Sequence, residues 1–247
     1  MAVENRAVFW RKLLSQATDN FFDTIFPKEC IGCKKENTVI CPECVARTRA
    51  DIKFVCPKCG KESFFGKTCA GCKDKTALSG FFYAGYYGNP LIRDAIYAWK
   101  YSFVGEIGES LGNIFLSYAE KYRAIFEGFG SPLVQAVPLN YERLLWRGFN
   151  QADVLAGKLA ERFGYKKIEA LARLKKTIPQ SEVGDDERAK NIRGAFSVRK
   201  DIGESLRDKT IILVDDIFTS GSTMEECART LKSAGAKEIW GFVLAKG

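Results

Sequence analysis

The 247-residue sequence contains no histidine. That removes the side chain most used for proton transfer near neutral pH. Any acid–base chemistry must run through carboxylates, lysine, tyrosine, thiols or the substrate itself. No uninterrupted apolar run approaches the roughly 18 residues that a membrane-crossing helix requires. A secretory pattern is also missing, because Phe9-Trp10 runs straight into Arg11-Lys12 and no long apolar stretch follows. A cytoplasmic location is the expectation. Two nucleotide-binding fingerprints are absent as well: no Gly-x-x-x-x-Gly-Lys-Ser/Thr occurs, and no Gly-x-Gly-x-x-Gly opens a helix after a strand.

The composition, 46% hydrophobic and 28% charged, is that of an ordinary globular protein. The length allows one large domain or two modest ones. A net charge of +8 is compatible with nucleic acid, phosphorylated metabolites or an anionic membrane surface, and selects none of them. The charge is concentrated: Lys28 to Lys75 holds 11 Lys/Arg against 6 Asp/Glu, which is +5 of the +8.

Eight of the nine cysteines form four Cys-x-x-Cys pairs: Cys30/Cys33, Cys41/Cys44, Cys56/Cys59 and Cys69/Cys72. A tetrahedral zinc ion needs four soft ligands, and two intervening residues let one tight turn supply two of them. Disulfides fit poorly with the expected cytoplasmic location, and redox catalysis would call for one such pair rather than four. Spacers of seven, eleven and nine residues favour two successive ribbons, Cys30/33/41/44 and Cys56/59/69/72, with a cross-braced pairing still open. Four cysteines per ion leave no position for water, so two structural Zn²⁺ ions are expected. Lysines around Phe54, Phe64 and Phe65 suit either a contact with single-stranded DNA or a small aromatic core of the module.

Residues 5–26 read as an amphipathic helix ended by Pro27. Phe81–Tyr87 is strand-like, Leu91–Tyr101 a helix, and 107–126 a further helix. After Gly130-Ser131-Pro132 strands and helices alternate: strand Leu133–Val137, a helix capped by Asn150 through Phe163, strand Ile211–Val214, helix Ser222–Ala234 and strand Ile239–Leu244. This rhythm predicts an α/β fold with a parallel sheet flanked by helices. The expected organisation is a helix over 1–27, a zinc module over 28–75 and the α/β domain over 78–247. Cys227 falls on the apolar face of the last helix and reads as buried filler.

The segment from Ile211 to Thr223 carries the chemistry. Four apolar residues bring a strand to its carboxyl end, where open α/β sheets bind ligands. Asp215 and Asp216 follow, then the loop Thr219-Ser220-Gly221-Ser222-Thr223, which leads into a helix. Backbone N–H groups, hydroxyls and the helix dipole there suit a phosphate, while the carboxylates can accept from vicinal sugar hydroxyls. This stretch resembles the phosphoribosyl-pyrophosphate motif of type I phosphoribosyltransferases. With the cysteine module, Lys100-Tyr101, Pro138-Leu139, Arg147-Gly148-Phe149-Asn150-Gln151, and Gln180, Arg188, Asn191 and Phe196, the chain looks like a member of the ComF family.

The resemblance implies a type I phosphoribosyltransferase-like domain, binding of phosphoribosyl pyrophosphate with Mg²⁺, and a role in natural competence. Partners would include single-stranded DNA and DNA-uptake or recombination proteins. Asp215 and Asp216 would hold the ribose hydroxyls and residues 219–223 the 5-phosphate. Arg143 and Arg147, after the strand ending at Val137, would face the pyrophosphate, with Lys175–Arg193 as a closing loop. Two other functions stay open: a metabolic transferase acting on a nucleobase or amine, and a non-catalytic adaptor with a regulatory sugar-phosphate site.

Overall fold

The computed structural model describes residues 28–48, 52–101, 105–174 and 192–247. The helix expected over 5–26 lies outside them, as do all but the last two residues of Lys175–Arg193. The chain divides into two compact units, Met1–Ala46 and Arg47–Gly247. That division falls within the stretch expected to form one zinc module.

In the first unit a tight knuckle brings Glu29 and Glu36 together as an antiparallel bridge. The Lys34 N–H donates to the Cys30 carbonyl at 2.9 Å and the Cys30 N–H to the Lys35 carbonyl at 2.8 Å. This turn forces Lys34 into the left-handed region, at φ 66°. Helix α1 (Pro42–Thr48) then starts on a proline, whose fixed φ suits a first helical position.

The second unit opens with a knuckle of the same design. Val55 bridges Glu62, the Gly60 N–H donates to the Cys56 carbonyl, and Gly60 takes the left-handed position at φ 69°. This ribbon joins the sheet directly. Lys67 bridges Gly80, and a Cβ on Gly66 would lie 2.3 Å from the Phe81 carbonyl oxygen, so only glycine passes there.

The sheet has strands β1 (Gly80–Tyr86), β2 (Leu133–Ala136), β3 (Lys166–Ile168), β6 (Thr210–Phe218) and β7 (Glu238–Lys246). Their order is β1-β7-β6-β2-β3 and every pairing is parallel. A separate antiparallel pair joins β4 (Leu171–Arg173) and β5 (Phe196–Val198). Ile211, Ile212, Leu213 and Val214 are completely buried, as a central strand covered on both faces requires.

The connecting helices are α2 (Pro90–Tyr101), α3 (Gly105–Lys121), α4 (Arg123–Glu127), α5 (Tyr141–Arg147), α6 (Gln151–Phe163) and α7 (Ser222–Ser233). The single helix expected over 107–126 is thus two. The break is at Tyr122, at φ −114°, whose ring packs 4.9 Å from Phe54 and 4.8 Å from Tyr118. On α7, Met224, Cys227, Ala228 and Leu231 are buried in the core, as their spacing predicts, and Cys227 is filler.

Candidate functional site

Strand β6 does not end at Val214 as the apolar run suggests. It continues to Phe218, paired with β7 as far as Lys246, whereas β2 leaves it at the Ala136–Val214 pair. Asp215 and Asp216 therefore stand where β6 outruns β2. From β2 the chain moves outward to β3, and from β6 it moves the opposite way to β7, so this is the point where strand order reverses. Crevices of that kind are the ligand sites of open α/β sheets.

The Asp216 N–H donates to Asp215 Oδ1 at 2.8 Å, and the Asp216 Oδ2 lies 2.7 Å from Lys100 Nζ. The Lys100 and Asp216 side chains are only 18% and 14% exposed. Burial, and then the neighbouring Asp216 charge, hold the Asp215 carboxyl well above the usual carboxylate range. Burial also opposes the charge of Asp216, but the Lys100 ammonium outweighs it and keeps that carboxyl below its ordinary value. One acid is thereby held as an anion beside another that resists ionisation.

The loop after β6 is shaped by Gly221 at φ 75°, where a Cβ would meet the Phe218 ring at 2.3 Å. Gly221 is also the N-cap of α7 and offers no side-chain acceptor to the first-turn N–H groups. Ser220 and Ser222 hydroxyls lie 3.0 Å apart, and Thr219 and Ser220 are exposed. An anion has access to this end of the helix, with hydroxyls at hand.

Across from it, the β2 strand end leads into α5. Arg147 closes α5 and is 8% exposed, so it is no surface charge. Its guanidinium lies 5.5 Å from the Tyr101 ring centroid and Nη1 is 3.5 Å from Gln151 Oε1. Among the described residues Arg147 Nε and Gln151 Nε2 have no hydrogen-bond partner. Arg143 is partly buried. Asn150 is the helix cap the sequence predicts, accepting from the Ala152 N–H at 3.2 Å. Its Nδ2 also donates to the Val137 carbonyl at 3.0 Å, which ties the α6 start to the β2 end.

Lys100 is the residue that sequence reasoning missed. In the sequence it stands out only through a family likeness, and its Asp216 partner is 116 positions away, so no local spacing assigns it a role. Gln180, Arg188 and Asn191 lie outside the described residues.

The eight paired cysteines assemble as two sets, Cys30/Cys33/Cys41/Cys44 and Cys56/Cys59/Cys69/Cys72, the sulfurs of each set within 4.8 Å of one another. This is the sequential pairing rather than the cross-braced one. Zinc–sulfur bonds of about 2.3 Å place tetrahedral sulfurs roughly 3.8 Å apart. The Cys33–Cys41 and Cys59–Cys69 sulfurs stand at 3.5 and 3.8 Å, and none of the cysteines forms a disulfide. Both sets could hold zinc. Burial resists ionisation of Cys30 and Cys56, yet backbone N–H groups converge on each sulfur and bring the thiols down to about 6 and about 7. Burial and neighbouring sulfurs push Cys44 up to about 12. The Cys69 contact and burial do the same to Cys72, also to about 12.

Phe54, Phe64 and Phe65 divide. Phe54 packs inward on Phe65, Phe82 and Tyr122, while Phe64 is 73% exposed. No helix among the described residues is long and apolar enough to cross a membrane.

Residues 150–247 match the phosphoribosyl transferase domain model. The chain is 30% identical to the DNA utilization protein YhgH of Escherichia coli over 207 residues, covering 81% of this chain and 88% of that protein. It is 26% identical to Competence protein F of Haemophilus influenzae over 235 residues, covering 92% and 99% respectively. It is 23% identical to Competence protein ComFC of Streptococcus pneumoniae, covering 86% and 90%. With a phosphoribosyl transferase domain on a parallel sheet and amino-terminal cysteine clusters in a zinc-ribbon-like arrangement, the chain belongs to the ComF family.

Proposed function

We propose that this chain is a cytoplasmic competence or DNA-uptake factor whose Asp215–Thr223 site binds phosphoribosyl pyrophosphate. In this reading Asp215 and Asp216 accept from the ribose hydroxyls. Thr219, Ser220, Gly221, Ser222 and Thr223 hold the 5-phosphate at the amino end of α7. Arg147 faces the diphosphate. Asp215 and Asp216 would hold Mg²⁺ together with the ligand, and the ion would neutralise charge on the diphosphate. Zinc in both cysteine sets is structural, because four thiolates close its coordination sphere.

The observation that carries the reading is the meeting of three things at the reversal of strand order. They are an acid pair, a hydroxyl loop under a helix start, and a buried arginine with an unpartnered Nε. The names of the relatives support the DNA-uptake role. Calorimetric titration with phosphoribosyl pyrophosphate, with and without Mg²⁺, tests the site. Binding lost in Asp215→Ala and Asp216→Ala is the expected result; no heat at millimolar ligand removes the reading.

Contact with single-stranded DNA fits a groove of about 1520 Å³ in the second unit. Lys67, Lys73, Lys75, Arg229, Lys232 and Lys237 border it and outnumber Asp74, Glu225 and Glu238, and the 41% exposed Phe65 ring lies on its wall. A basic channel with aromatic faces is how sequence-tolerant strand binding is built. Salt-dependent binding, lost on reversing Lys67, Lys73 and Lys75, supports it, and salt-insensitive or absent binding refutes it. A metabolic transferase is the second reading. It is favoured by Tyr101 and Trp146, 43% and 57% exposed with rings 5.4 Å apart, beside Lys100 and Arg147, where a planar acceptor could lie. Pyrophosphate release with one acceptor in a nucleobase and amine screen, abolished by Asp215→Ala, selects this reading. Binding with no release from any acceptor removes this second reading.

A further inference from the structure

We propose that Lys100 is a diphosphate-binding residue of this site, passing its ammonium from Asp216 to the diphosphate of an incoming phosphoribosyl pyrophosphate. The inference rests on the reading of the Asp215–Thr223 site given above.

Lys100 sits in the last turn of α2, whose packing is supplied by Ile92, Ala95, Ile96 and Trp99. Its ammonium is not needed to hold the helix down. It is nevertheless drawn to 2.7 Å from Asp216 Oδ2, with both side chains largely out of water. A mostly buried ion pair loses in desolvation much of what it gains in attraction, so stability alone is a weak reason for one here. Position gives a better reason, because Asp216 is the carboxylate expected to meet a sugar hydroxyl.

The ammonium has three donors and one faces Asp216, which leaves two for an anion. The neighbouring residue, Tyr101, lies under the Arg147 guanidinium, 5.5 Å from its ring centroid, and the Lys100 and Arg147 charges both act on Asp216. Arg147 Nε and Gln151 Nε2 are buried donors without acceptors among the described residues. Unmet buried donors are costly, and an incoming oxyanion would satisfy them. In this structure Asp216 is the anion that Lys100 holds. A ribose hydroxyl arriving at Asp216 competes for that oxygen and releases the ammonium toward the diphosphate of the same ligand.

Phosphoribosyl pyrophosphate and ribose 5-phosphate differ only in the diphosphate, which makes them the two probes. Wild type, Lys100→Ala and Lys100→Arg are titrated with each by calorimetry, with thermal unfolding as a control on folding. Lys100→Ala is expected to weaken phosphoribosyl pyrophosphate at least about tenfold, the scale of one lost charged contact. Ribose 5-phosphate is expected to bind as well as before or better, since Asp216 is freed. Lys100→Arg restores part of the lost affinity. Equal loss for both ligands makes Lys100 a structural pair only, and unchanged phosphoribosyl pyrophosphate binding overturns the proposal. Wild type that binds neither ligand removes the site reading itself, and Lys100 with it.

Discussion

Glu225, in the first turn of α7, accepts a hydrogen bond from the Ala77 N–H at 3.0 Å. Its other oxygen takes the Thr76 hydroxyl. The second ribbon is therefore fastened to the helix that begins at the hydroxyl loop. Glu225→Ala deletes both acceptors and leaves a buried-edge N–H unmet, a loss of about 1–3 kcal/mol in urea unfolding. Binding of phosphoribosyl pyrophosphate should not weaken, because the change removes a negative charge near the loop. Unaltered stability would show the contact to be dispensable.

Asp215 has a pH signature of the less common sign. A carboxyl raised in the folded state contributes its stability below its unfolded value of about 3.9, and loses it as pH rises through the folded value. At neutral pH that carboxyl therefore burdens the fold. Asp215→Asn should raise the melting temperature at neutral pH, with the gain vanishing below about pH 4, while abolishing ligand binding. Asp216 is lowered, so its contribution is present above about pH 3.9 and lost as pH falls. Asp216→Asn should instead destabilise at neutral pH, on the order of 3 kcal/mol, by stranding Lys100. Melting curves from about pH 3 to pH 8 separate the two.

Metal analysis should find two zinc ions per chain, and Cys56→Ser should lose one of them. Because the second ribbon is built onto β1, that variant should also lower the unfolding midpoint of the Arg47–Gly247 unit. Zinc added to the metal-free protein near pH 8 should release fewer than four protons per site. Cys30 and Cys56 are already ionised there, while Cys44 and Cys72 must still give up theirs. Indicator-dye titration reads the number directly.

The two knuckles make a matched experiment. Lys34 and Gly60 occupy the same left-handed position, at φ 66° and 69°. Lys34→Gly should stabilise the first knuckle by about 1 kcal/mol, and Gly60→Ala should cost the second a similar amount. No atom lies within 4 Å of a Cβ added at Gly60, so the cost is one of backbone conformation alone. Zinc retention against a competing chelator measures both.

The chemistry that is local can be read from the residues alone. Four Cys-x-x-Cys turns, one buried β-branched run, an acid pair and a hydroxyl loop lie within short stretches, where spacing fixes geometry. The amphipathic face of α7 and the Asn150 cap were legible for the same reason. Contacts between residues distant in sequence emerge only once the chain is folded. Asp216 meets Lys100 because β6 outruns β2 beside the end of α2, and Phe54 turns inward because Phe82 and Tyr122 are there to receive it. The split of the long helix at Tyr122 follows from the same aromatic contact. Periodicity records which face of an element is buried, but not which distant residue buries it. For that reason the acid pair was readable from the chain, while the lysine that sets its charge was not.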